Sequence, residues 1–153
     1  MTKPIPEGYH AVTPYLICRN AGQAIAFYQQ AFGAKELYRL PGPRDSIGHA
    51  ELQIGDSRVM LADESPDGAW RSPQSAGGTP VTMVLYVADV DATFRSAVAA
   101  GARPVREVQD QFYGDRMGTV QDPFGHIWTI GTHVEDVPPD EIARRAAAQE
   151  PAP

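Results

Sequence analysis

Ala24-Ile25-Ala26-Phe27-Tyr28-Gln29-Gln30-Ala31-Phe32-Gly33-Ala34-Lys35-Glu36-Leu37 returns in the same chain as Ala92-Thr93-Phe94-Arg95-Ser96-Ala97-Val98-Ala99-Ala100-Gly101-Ala102-Arg103-Pro104-Val105. Both copies read as an amphipathic helix closed by Gly-Ala and followed by an extended run. Each follows an apolar stretch, Val12 to Cys18 and Val81 to Val87, and each precedes two strands joined by a tight turn. The repeat distance is about 67 to 69 residues. Duplication of one supersecondary unit constrains the fold more than any other feature of the sequence.

The first unit runs from about 11 to 63. Asn20 is a candidate N-cap with Gln23 as its capping-box partner. Ile25, Tyr28 and Phe32 recur at i, i+3, i+7 and form an inward stripe, and Gly33 suits the left-handed residue that ends the helix. Lys35 to Leu40 reads as a strand, stopped by Pro41-Gly42-Pro43. Ile47 to Ile54 and Arg58 to Ala62 read as strands around a Gly55-Asp56 hairpin. Residues 64–80 have the Gly, Pro and Ser content of a linker. The second unit spans 81–136. Asp89 caps its helix, Val90, Phe94 and Val98 make its stripe, and Asp122-Pro123-Phe124-Gly125 fits a type I turn. A C-terminal helix and tail occupy 137–153, with the helix from Asp140 to Gln149 ended by Pro151. The expected class is α+β: two tandem βαβββ units forming a curved mixed sheet with a cleft, helices outside, plus the C-terminal helix.

Bulk properties narrow the partners. A net charge of -6 disfavours nucleic acid and anionic membranes. The one cysteine, Cys18, excludes an intrachain disulfide framework and reads as a small buried hydrophobe. No apolar run approaches the roughly 18 residues of a membrane span, and no signal peptide is read, so a cytoplasmic location is expected.

The duplicated pattern, the Phe27-Tyr28 helix with its Phe-Gly-Ala end, and Asp122-Pro123-Phe124-Gly125-His126 resemble the vicinal oxygen chelate superfamily. That group includes glyoxalases, bleomycin-resistance proteins and dioxygenases. Val12-Thr13-Pro14-Tyr15-Leu16, His49-Ala50-Glu51-Leu52 and Tyr113-Gly114-Asp115-Arg116 are most similar to its PhnB-like branch. The resemblance implies a homodimer and small-molecule clefts. It also implies that metal-dependent relatives draw ligands from the first and last strand of each unit. Counted from the helix and the turn, those positions fall on Thr13, Met60, Thr82 and Thr129. Three hydroxyls and a thioether are poor divalent-metal donors, so the expected cofactor set is empty.

His49 and Glu51 share one strand face, with Ala50, Leu52 and Ile54 on the other. They are the candidate catalytic pair, as base and orienting partner or as a minor alternative metal site. A solvated polar face is the bland alternative. Tyr15 and Tyr86 share faces with Thr13 and Thr82 and are candidate aromatic walls, against ordinary core packing. Tyr113 and Arg116 sit on a glycine turn, where Arg116 could clamp an anion or simply pair with an acid to shape the loop. The expected ligand-binding set is Thr13, Tyr15, Met60, Thr82, Tyr86, Tyr113, Arg116 and Thr129, around one shared cavity. Trp128 reads as helix-facing core. Trp70 could close over the cleft or pack on a neighbouring chain. Two functions follow: a metal-independent protein that sequesters an aromatic or apolar metabolite, or a glyoxalase-like lyase or isomerase that uses His49 and Glu51.

Overall fold

The structure, a computed structural model, describes residues 1–149; the expected stop at Pro151 lies outside them. The first unit contains β1 (Tyr15–Cys18), α1 (Ala21–Phe32), β2 (Lys35–Pro41), β3 (Ile47–Ile54) and β4 (Ser57–Asp63). A single helical turn, α2 (Pro73–Ala76), interrupts the connection to the second unit. That unit contains β5 (Thr82–Tyr86), α3 (Val90–Ala100), β6 (Arg103–Asp110), β7 (Asp115–Gln121) and β8 (Ile127–His133), and α4 (Pro139–Gln149) follows. The strands form two four-stranded mixed sheets of matching order, β1-β4-β3-β2 and β5-β8-β7-β6, with the first and last strand of each unit parallel. Among the described residues no helix is long and apolar enough to cross a membrane.

The local signals act as their chemistry dictates. The Asn20 side chain accepts the Gln23 amide at 3.1 Å, and Gly33 ends α1 at φ 68°. The Asp89 side chain accepts the Ala92 amide at 3.1 Å and opens α3. β1 starts at Tyr15 rather than Val12, because Pro14 has no amide hydrogen for a ladder.

Each helix covers one face of its own sheet, and the two helices pack on each other. Both stripes therefore enter one core, with Ile25, Tyr28, Leu52, Leu61, Val90, Val120 and Ile130 fully buried. The expectation of helices outside and one cleft enclosed by both sheets does not hold within a single chain. Helix meets helix, and the opposite faces of the two sheets stay uncovered. The cause is the side chains of α1. Phe32 packs on Trp128 with ring centroids 4.8 Å apart, and Phe27 meets Phe124 at 6.3 Å, so α1 is seated on the second unit as well as the first.

A buried carboxylate fixes this seat. Asp122 Oδ2 accepts the Tyr28 hydroxyl at 2.5 Å and the Trp128 indole N–H at 3.0 Å, while Oδ1 accepts the Phe124 and His126 amides, both at 2.9 Å. His126 Nε2 then donates to the Ile17 carbonyl of β1 at 2.9 Å. The 64–80 segment also docks here: Gly125 has φ 92°, and a Cβ there would lie 2.8 Å from the Pro73 side chain.

Removing the Tyr28 hydroxyl deletes one hydrogen bond to a charged group, worth about 1.5–3 kcal/mol. Tyr28→Phe should lower the unfolding free energy by that amount, read as a lower urea midpoint with an unchanged slope. An unchanged midpoint would show that Asp122 does not carry the link between the units.

Candidate functional site

The uncovered face of the first sheet is built by strand alternation. Ala50, Leu52 and Ile54 point into the core, which turns His49, Glu51 and Gln53 to the other side. Register then sets a row across all four strands, Tyr15–Met60–Glu51–Tyr38, with Ile17, Ala62, His49 and Leu40 beside it. The polar members of these rows join. The Tyr15 hydroxyl meets His49 Nδ1 at 2.8 Å, His49 Nε2 meets Glu51 Oε2 at 2.8 Å, and the Tyr38 hydroxyl donates to the same Glu51 oxygen. Glu51 is buried although it lies on the uncovered face. A carboxylate facing Nε2 places the ring hydrogen there and leaves Nδ1 to accept from Tyr15. Burial, and secondarily Tyr38, pushes the Tyr15 phenol above its ordinary range, so it stays protonated. The arrangement can hold and move a proton along Tyr15, His49 and Glu51.

Tyr15 also lines a cavity of about 620 Å³ with Ile17, Arg44, Ser46, Glu64 and Trp70. Trp70 stacks on Tyr15 at 6.3 Å with an interplanar angle of 27°. The loop that carries Trp70 is held by Glu64, whose Oε1 accepts the Ser72 amide at 2.9 Å and the Ser72 hydroxyl at 2.5 Å. Those bonds from Ser72, then Ser75, hold the Glu64 carboxyl down at about 2.

The structure brings Tyr15, Met60, His49 and Glu51 onto one surface. The remaining sequence candidates lie elsewhere. Thr13 donates to the His10 carbonyl at 3.4 Å and lines a separate depression beside β5. Thr82 and Thr129 are on the uncovered face of the second sheet, where Thr129 Oγ1 meets Thr119 Oγ1 at 2.9 Å. Tyr86 donates to Asp115 Oδ2 at 2.7 Å and Tyr113 to the Met117 sulfur at 3.2 Å. Tyr15 and Tyr86 therefore wall different cavities of one chain. Arg116 is bidentate to Asp91 on α3, at 2.8 and 3.0 Å, and bonds Asp110 at 3.1 Å, so its guanidinium is occupied in joining strand to helix. Among the described residues no three His, Cys, Asp or Glu side chains converge on a point that suits a metal ion. The donor set Thr13, Met60, Thr82 and Thr129 does not fit one either: its members are dispersed, and hydroxyls and a thioether suit divalent cations poorly. Tyr38 was not a sequence candidate. Its opposition to Glu51 depends on the β2–β3 register, which a bulge between Glu36 and Tyr38 shifts by one residue.

The chain belongs to the glyoxalase/bleomycin resistance protein/dioxygenase superfamily, whose family model matches residues 9–130. An uncharacterized protein of Mycobacterium tuberculosis is 47% identical over 142 residues, which span 91% of this chain and 84% of that protein. TioX from Micromonospora sp. ML1 superposes with a TM-score of 0.65 at 30% identity, covering 82% of this chain and 99% of that one. A PhnB protein from Bacillus cereus shares the fold, with a TM-score of 0.63 at 14% identity over 80% of this chain and 99% of its own.

The lowered Glu64 carboxyl has a readable consequence. Its stabilisation of the 64–76 loop is fully present above the ordinary carboxylate range of about 4.5 and is lost as pH falls towards about 2. Trp128 is buried in the core and Trp70 is exposed. In a Trp128→Phe background, Trp70 fluorescence should therefore change over that acid window. Glu64→Gln should show the low-pH signal already at neutral pH. A Trp70 signal that is flat down to pH 2 while the protein stays folded would contradict this.

Proposed function

We propose that the chain binds a small aromatic or apolar molecule in the cavity walled by Tyr15 and Trp70, without a metal, and that Tyr15, His49 and Glu51 form the polar end of that site. The observation that carries this reading is the double role of Tyr15. Its ring lies in the aromatic stack while its hydroxyl heads the hydrogen-bonded series to Glu51. Apolar walls with a few placed polar groups are what small organic ligands require. Stacking on paired aromatic rings favours a flat ligand.

A second reading, acid–base catalysis in a lyase or isomerase, draws support from the same side chains. Glu51 fixes the His49 ring; Tyr15 can pass its one phenolic proton to a bound substrate as an acid, or yield it to His49 Nδ1 and, as the phenolate, take one from a bound substrate as a base. Ligand release in unchanged form separates the first reading from the second.

A homodimer fits this use. Tyr15, Trp70, Val84 and Tyr86 are all exposed in one chain, on faces that a second copy could cover. Units 11–63 and 81–136 would then pair across the dimer as well as within the chain, with 64–80 as the linker. A cytoplasmic location is consistent with the buried, unpaired Cys18.

A thermal-shift screen of planar aromatic metabolites and divalent cations tests the binding. A ligand at a hundred times its dissociation constant should add about 2.7 kcal/mol of stability, and the cations should add none. Tyr15→Ala or Trp70→Ala should weaken the best ligand by roughly 0.5–1.5 kcal/mol through lost stacking. A stabilising cation whose effect disappears in His49→Ala would overturn the metal-free reading. Light scattering should give twice 16.6 kDa at micromolar concentrations, and a monomer throughout would count against the dimer.

A further inference from the structure

We propose that His133 is a pH-operated latch that fastens the segment 136–149 against the uncovered face of the second sheet. Both ring nitrogens of His133 face carboxylates: Nδ1 lies 2.6 Å from Asp115 Oδ1 and Nε2 lies 2.7 Å from Asp136 Oδ1. A neutral imidazole has one N–H and can satisfy only one of them; the imidazolium satisfies both. His49 differs, because its Nδ1 meets a phenol that can donate.

The two carboxylates are unequal. Asp115 is buried and also holds the Tyr86 hydroxyl, whereas Asp136 is fully exposed. A buried acceptor loses more than a solvated one when its donor leaves. On deprotonation the remaining hydrogen therefore stays on Nδ1 with Asp115, and Asp136 lets go. The proton passes to solvent. The flanking hydrogen bonds, to Asp136 first and Asp115 second, hold the His133 imidazole above its ordinary value. The latch is closed below that raised value and opens as pH rises through it.

The geometry gives the latch something to open. The Val134 and Glu135 amides both donate to the Gly114 carbonyl, at 2.9 and 3.0 Å. Gly114 has φ 101°, and a Cβ there would collide with the Glu135 carbonyl. The chain is thus pinned up to Glu135, and the hinge follows it. Beyond the hinge, Val137 and Ile142 form the outer wall of a cavity of about 490 Å³ whose inner wall is Tyr86, Tyr113, Asp115 and His133. Tyr86 and Tyr113 are both held above their ordinary range, Tyr86 chiefly by its bond to Asp115 and Tyr113 by burial, so neither competes for the proton. The two arginines of the segment are also paired. Arg145 bonds Glu135 and Glu141, Arg144 bonds Glu141, and Arg145 also donates to the Phe112 carbonyl at 3.0 Å. Arg145 is a second fastening that pH does not touch, so opening is complete only when it too is removed.

The test combines histidine NMR titration with hydrogen exchange of 136–149, expressed as protection factors so that the intrinsic pH dependence is divided out. His133 should titrate above the ordinary histidine value, and Asp136→Asn should lower it. In Arg145→Gln, protection of 136–149 should be lost as pH rises, with the midpoint of the His133 titration. Adding His133→Asn to Arg145→Gln should remove protection at every pH. An ordinary His133 titration overturns the proposal. So does protection in Arg145→Gln that stays constant across a raised His133 titration.

Discussion

Asp122 ties α1 of the first unit to β8 and the turn of the second from inside the core. A carboxylate that is nearly inaccessible takes four donors from three elements: the Tyr28 hydroxyl on α1, the Trp128 indole on β8 and two amides of its own turn. Loss of any of them leaves a buried acceptor short of a partner, which makes the arrangement hard to vary. Because α1 is fastened to the second unit, its apolar stripe is used against α3 and Trp128 as well as its own sheet. Both helix-covered faces then share one core, and of the other two sheet faces only parts are screened, the first by Trp70 and the second by the segment that carries Val137 and Ile142.

Each of those uncovered faces bears a hydrogen-bonded polar cluster. On the first, a buried Glu51 takes a tyrosine and a histidine; on the second, a buried Asp115 does the same. The resemblance is not a copy made by the repeat. Tyr15 corresponds to Val84 in register, and His133 lies at the end of β8 rather than on the third strand of its unit. The first set sits beside an aromatic stack and a roomy cavity, which suits ligand binding. The second is tied to the segment that leaves the sheet, which suits control of that segment. Purely polar display to solvent would not require either carboxylate to be buried.

Much of the fold was legible because local chemistry repeats. Asn20 and Asp89 open helices, Gly33 and Gly101 close them, and alternation in Ile47–Ile54 separates Ala50, Leu52 and Ile54 from His49 and Glu51. Trp128 was legible as core for the same reason. What alternation cannot supply is which face of one unit meets which face of the other. That choice rests on the contact from Tyr28 to Asp122, across 94 residues, and the sequence of the turn gives only its local role as Asp-Pro-Phe-Gly. For this reason the shared cavity expected for Tyr15 and Tyr86 does not form within one chain. Arg116 presents a different limit: a guanidinium on a loop-flanking strand reads equally as a clamp for an anion or for Asp91, and only distance separates the two. Tyr38 and the placement of Trp70 over Tyr15 depended on a bulge and on loop anchoring by Glu64, neither of which has a periodic signature.

Glu51 orients His49 so that Nδ1 receives the Tyr15 hydroxyl beside the cavity. Long-range proton–nitrogen correlation NMR of the histidine rings reads this directly. Neutral His49 should carry its hydrogen on Nε2, with Nδ1 pyridine-like, and Glu51→Gln should weaken this preference. Neutral His49 found with its hydrogen on Nδ1, or with an even mixture of tautomers that Glu51→Gln leaves unchanged, would contradict it.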